Sequence, residues 1–137
     1  MKNAAAALAA LILSWAGAAA AAPYAAKDCG QFVTQTDLNQ CAGDNAAAAD
    51  KALNALYKKV AAKLDDKDSQ AALLKAERAW IAYRDAQCAY ETGPQEGGGS
   101  IWPMEQSLCL QRMTDARLKE LGQLPECLAS SEECTVK

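Results

Sequence analysis

The sequence predicts an all-α fold: a small disulfide-bonded bundle of three main helices built on an antiparallel helical hairpin. Apolar residues recur at spacings of three and four through long stretches, no stretch makes a convincing strand, and six cysteines stand in a chain of only 137 residues. That length allows one domain. The organisation read from it is a cleaved signal peptide over 1–22, a helical domain over 23–121 and an irregular, cysteine-containing tail over 122–137.

The first segment sets the compartment. Met1-Lys2-Asn3 gives a short positive start, Ala4 to Trp15 is uncharged and apolar, and Ala16-Gly17 with the five alanines after it supplies small residues for cleavage. A cut is expected between Ala18 and Ala22. A retained membrane anchor asks for a more hydrophobic run than this alanine-rich one. A lipoprotein asks for a cysteine directly after the apolar region, whereas Cys29 follows the charged pair Lys27-Asp28. The mature chain is therefore expected to be periplasmic or secreted, with no membrane association after cleavage. Of the 70 apolar residues that make up 51% of the chain, 32 are alanine, and 12 of those lie in the signal. The apolar percentage thus overstates the core.

The first helix is expected from about Thr36 to Leu64, where Leu38, Ala42, Ala46, Ala49, Leu53, Leu56, Val60 and Leu64 mark one face. Thr34-Gln35-Thr36-Asp37 has the form of a capping box, with Thr34 accepting from the backbone and Asp37 reaching back. Asp65-Asp66-Lys67-Asp68-Ser69 is a polar turn in which Asp68 or Ser69 can cap the next helix. The second helix covers about Ser69 to Glu91. Leu73, Ala76, Trp80 and Tyr83 form one apolar stripe and Leu74, Ile81 and Cys88 an adjoining one, so contact on two sides is expected. Thr92 to Ser100 (TGPQEGGGS) ends it with a proline and four glycines. The third helix runs from near Met104 to near Leu121, with Leu110, Met113 and Ala116 among its apolar positions.

In an exported chain an even number of cysteines reads as a disulfide framework. Zinc would need CxxC spacing or histidine partners, and the chain has no histidine. A tight turn near residue 66 folds the first two helices into a hairpin, which places Cys41 and Cys88 at equal height on opposite arms. The geometric set is Cys41–Cys88, Cys29–Cys109 and Cys127–Cys134, with Cys88–Cys109 as its main competitor.

The missing histidine also removes the commonest general base and the serine-hydrolase triad. The mature chain carries 13 basic and 17 acidic groups, a net charge of −4, the wrong sign for a nucleic-acid partner. Carboxylate chemistry through Glu77, Asp85, Glu91 or Glu96 stays open in principle, although ion pairs with Arg78 and Arg84 on the same helix suffice to explain the first two. In the segment 80–85, Trp80 and Tyr83 read as core and Arg84 and Asp85 as bonds to neighbouring helices or caps; the rival reading makes Arg84 a contact to a partner. The glycine run lacks the lysine of a phosphate-binding loop and follows no strand. It is either a flexible connector or a protruding loop that enters a partner's cleft, with Trp102 beside it as interface anchor or lid over the core. The partner-binding candidates are Glu96, Gly97, Gly98, Gly99, Ser100 and Trp102. No cofactor, metal or catalytic set is expected.

Taken together, these segments resemble a known family. Thr34-Gln35-Thr36-Asp37-Leu38-Asn39-Gln40-Cys41-Ala42 is similar to the opening motif of the LprI-like lysozyme inhibitor domain family (the N-terminal LprI-type domain). Ala49-Asp50, Leu53-Asn54 and Tyr57 continue it, followed by Trp80-Ile81, Tyr83-Arg84-Asp85 and Cys88, then Gly98-Gly99-Ser100 with Pro103, Cys109, Thr114 and Arg117. The resemblance covers about Cys29 to Leu121. It implies a small, exported, helical, disulfide-bonded domain, and an activity that is not enzymatic: occlusion of lysozyme, a peptidoglycan hydrolase. The family is named after a mycobacterial lipoprotein, and this chain lacks the lipidation cysteine, so surface anchoring does not carry over. A different class of function, an envelope structural or adaptor domain with no effect on lysozyme, is the alternative.

Overall fold

A computed structural model describes residues 24–129. The chain forms α1 (Gln35–Ala61), α2 (Lys67–Thr92), the single-turn α3 (Gln95–Gly98), a 3-10 turn (Gly99–Ile101) and α4 (Trp102–Ala129). Among the described residues there is no strand, and α1, α2 and α4 build the all-α bundle expected from the apolar periodicity. The signal segment, residues 130–137 and any bond between Cys127 and Cys134 lie outside what is described.

Local chemistry accounts for the helix starts. Thr34 caps α1: its Oγ1 accepts from the Asp37 N–H at 3.1 Å and donates to the Asp37 carboxylate at 2.6 Å, which closes the expected box through the hydroxyl. α2 is capped by Asp66, whose Oδ1 accepts from the Ser69 N–H at 2.6 Å. The expectation of Asp68 or Ser69 is corrected here, because the turn after α1 is tighter than its polar composition indicates. Ala62, Lys63 and Leu64 already close it with backbone bonds to Lys58, Val60 and Ala61. Pro103 sits in the first turn of α4, where a missing N–H leaves no bond unmade.

α4 lies along both other helices, antiparallel to α2 and parallel to α1, and its packing against α1 is the main interface of the bundle. α1 and α2 meet chiefly across it. The apolar core gathers toward the end that holds the α1–α2 turn: Leu53, Val60, Leu118 and Leu121 are buried, with Leu56, Tyr57, Leu73 and Trp80 packed against them. Toward the other end the buried side chains are small or polar, namely Cys41, Ala42, Asn45, Ala49, Arg84, Cys88, Cys109 and Thr114.

The disulfides are Cys29–Cys41 and Cys88–Cys109. The pairings Cys41–Cys88 and Cys29–Cys109 are thereby corrected, and the competitor Cys88–Cys109 is the one formed. Equal height on the hairpin arms does not suffice when α4 occupies the space between them: Cys88 faces α4, and Cys41 faces the segment that precedes α1. That segment is laid against α1 by Asn45. The Lys27 N–H donates to Asn45 Oδ1 at 2.8 Å and Asn45 Nδ2 donates to the Lys27 carbonyl at 3.0 Å, which sets Cys29 over Cys41.

Two further expectations change. The region after Gly122 is not irregular throughout, since α4 continues to Ala129 through Gly122 and Pro125. The apolar face explains part of this: Leu121 is fully buried and Leu124 still packs on the core, and that contact outweighs the poor helix propensity of glycine, about 1 kcal/mol relative to alanine. The second stripe of α2 is covered only at Cys88. Leu74 and Ile81 are exposed, as is Tyr83, which is not core. α4 is the main cover of α2, on the Leu73–Trp80 side.

Candidate functional site

At the end opposite the α1–α2 turn, residues 93–101 form a compact knuckle between α2 and α4. Gly93 ends α2 at φ +66° and Gly99 separates the two short turns at φ +60°, backbone conformations that side-chain-bearing residues rarely adopt. Trp102 clamps the base. Its Nε1 donates to the Gly93 carbonyl at 3.0 Å, and its ring lies so close to Gly98 that a Cβ there would fall 2.4 Å from Trp102 Cδ1. Asn39 Nδ2 donates to the Ser100 carbonyl at 2.9 Å and ties the knuckle to α1. The glycine run is therefore an ordered protrusion.

Glu96, Gly97, Gly99 and Ser100 are exposed, whereas Gly98 and Trp102 are half-buried. The six partner-binding candidates thus lie together, four on the outside and two in the base. Beneath them the Cys88–Cys109 bond joins α2 to α4, and Arg112 Nη2 meets Glu91 Oε2 at 2.6 Å. Hydrogen bonds from Gln87 and Arg112 hold the Glu91 carboxyl below its usual range. A shallow depression beside the knuckle is lined by Glu91, Thr92, Glu105, Leu108, Cys109 and Arg112.

Three of the four carboxylates considered for acid–base chemistry are held in separate ion pairs. Glu77 is buried and bound to Arg117 of α4 rather than to Arg78. Hydrogen bonds to Glu77 and Glu120 hold the Arg117 charge against its own burial, so that its pKa rises. Asp85 is bound to Arg84 at 2.9 Å and Glu91 to Arg112, while Glu96 stands alone on the knuckle. Arg84 bonds within the bundle: its Nη1 donates to Asp50 at 2.6 Å and to Thr114 at 3.2 Å. With Arg117 it brackets Trp80, the two guanidinium carbons lying 5.3 and 5.9 Å from the ring centroid. These contacts place Trp80, Arg84, Thr114 and Arg117 in one structural network. Among the described residues no group of three histidine, cysteine, aspartate or glutamate side chains is placed to hold a metal ion, and no helix is long and apolar enough to cross a membrane.

Asn45 and Tyr24 were not singled out by sequence reasoning. Tyr24 Oη donates to Asp115 at 2.7 Å and accepts from Gln111 at 3.2 Å, so the segment before α1 is pinned to α4 as well. Burial and the Asp115 carboxylate push the Tyr24 hydroxyl up to about 12. Asn45 did carry a signal, a lone amide at a core position between Cys41 and Ala49. Tyr24 carried none.

Comparison with known proteins adds two matches. A protein of Rhizobium meliloti (strain 1021), described as uncharacterized, is 41% identical over 138 aligned residues that cover 92% of this chain and 97% of the relative. No solved structure matches the chain. The family model described as "Lysozyme inhibitor LprI" matches residues 25–121, which span both disulfides, the knuckle and the core helices, and the chain belongs to that family.

Proposed function

We propose that the protein is an exported inhibitor of lysozyme that acts by occluding the enzyme, with residues 91–102 presented to its cleft. The observation that carries this reading is the knuckle: a protruding backbone held at its base by Trp102, Asn39 and a disulfide, with Glu96, Gly97, Gly99 and Ser100 turned outward. A segment already ordered in its protruding form loses little freedom on binding, and exposed glycines let a partner approach the backbone closely. The family description supports lysozyme as the partner. Lysozymes of the common animal type are strongly basic, so a mature chain of net charge −4 is attracted to them.

The test is clearing of a cell-wall suspension by lysozymes of several types, with and without the purified mature protein. Inhibition by the wild type, and its loss on deletion of Gly97–Gly99 with helicity retained, is the expected result. Unchanged inhibition by the deletion variant removes the knuckle from the mechanism. No inhibition by the wild type at micromolar excess favours the envelope adaptor.

A further inference from the structure

We infer that the docking surface is the whole knuckle end of the bundle: an apolar tip drawn from three chain segments, inside an acidic half of the molecule, that meets a strongly basic protein end-on. The inference rests on the lysozyme reading and extends its contact beyond the knuckle.

Four of the large apolar side chains that the fold leaves exposed stand at this one end: Val33, 94% exposed, Tyr90, 84% exposed, Ile101 and Phe32. They come from the segment before α1, from the last turns of α2 and from the 3-10 turn. Three ties gather them, namely Cys29–Cys41, Cys88–Cys109 and the bond from Asn39 to the Ser100 carbonyl. None belongs to the core cluster, which lies toward the opposite end. Burying such side chains against a partner is favourable and takes nothing from the fold.

Charge divides along the same axis. The segments 24–46 and 85–113, which make the knuckle half, carry seven carboxylates against two cations, a net of −5. The segments 47–84 and 114–129, which make the other half, carry eight against ten, a net of +2. A molecule polarised this way turns its acidic end toward a basic partner before contact. An anionic membrane or a nucleic acid would be repelled by that end, so a basic protein surface with an apolar cleft is the occupant that fits both features.

The experiment measures binding of the full mature protein to a basic animal-type lysozyme at low and high salt, alongside inhibition. V33S and Y90S are each expected to weaken affinity by about tenfold, the scale of a contact worth more than 1 kcal/mol. The double variant E96K/E105K should slow association by about tenfold at low salt, with the gap closing at high salt. K58E/K59E, at the opposite end, should match the wild-type affinity at high salt and associate no more slowly at low salt. Circular dichroism checks that each variant keeps its helices. If the wild type binds and V33S and Y90S bind equally well, the apolar tip is overturned while the knuckle reading stands. If the wild type binds no lysozyme, both fall.

Discussion

The two halves of the bundle are held by different means. Around the α1–α2 turn, leucines and a valine pack against Trp80 and Tyr57, and cations outnumber carboxylates. Around the knuckle, both disulfides, the Asn45 bonds to Lys27, the Trp102 clamp and the Glu91–Arg112 pair hold elements whose buried side chains are small or polar. A half that displays apolar and acidic side chains outward has fewer left for a core. Cross-links and specific hydrogen bonds then keep it in shape.

Substitutions at the two ends test that division. Leu121→Ala removes a fully buried side chain from the leucine half and should cost about 2–5 kcal/mol, read from urea unfolding. A loss below about 1 kcal/mol would show that the core is not concentrated there. Replacing Cys88 and Cys109 together by serine opens a loop of sequence separation 21 and should cost about 3 kcal/mol on chain-entropy grounds. Removing Cys29 and Cys41 should have a local effect: hydrogen exchange accelerates over residues 24–33 while the middle of α4 stays protected. Global unfolding in that variant would mean that the early segment is part of the cooperative core. Asn45→Ala removes both bonds to the Lys27 backbone and should cost about 1 kcal/mol. Its main readout is faster proteolysis ahead of α1.

The smallest effects come with pH. Glu91 and Asp44, held below the usual carboxylate range chiefly by Gln87 and by Lys27, both belong to the knuckle half. Their contribution is present above the ordinary carboxylate pKa, from about pH 5 upward, and is lost as pH falls through their lowered values. Asp66, held below the same range by its hydrogen bonds with Ser69, gives the start of α2 the same dependence. Acid should therefore loosen the α1–α2 turn as well as residues 24–46 and 85–113, as seen by exchange measured between pH 5 and pH 2. Tyr24 works in the opposite direction. Its protonated hydroxyl is favoured in the folded state, so its stabilisation holds below pH 10 and is lost as pH rises toward about 12. Tyr24→Phe should remove the corresponding late step from the alkaline tyrosinate absorbance titration.

Legibility in the sequence followed the range of the interaction involved. Apolar spacing located the three long helices, and Thr34 with Asp37 announced a cap, because periodicity and capping are decided within a few residues. The disulfide pairing is not legible locally, because it depends on where α4 lies and neither α1 nor α2 carries that information. Arg84 is expected to bond to neighbouring helices or caps, yet nothing in the sequence identifies Asp50 and Thr114 as its partners. The continuation of α4 past Gly122 and Pro125 was hidden for a related reason. Those residues are local stop signals, and a long-range contact through Leu124 overrides them. At the candidate site, composition marked the glycine run, but Trp102 over Gly98 turns that run from a connector into an ordered projection. The exposed Val33, Tyr90 and Ile101 lie far apart along the chain, so no local pattern marks them as neighbours at one end.

The parallel course of α1 and α4 bears on how this domain can be mounted. α4 starts at the knuckle and runs the length of the bundle to Ala129, so the described chain leaves at the far end. Tyr24, in contrast, is fastened beside the middle of α4 through Asp115. A copy immobilised or fused through residues after α4 would therefore stand with its knuckle away from the support. One joined through residues before Tyr24 would lie on its flank.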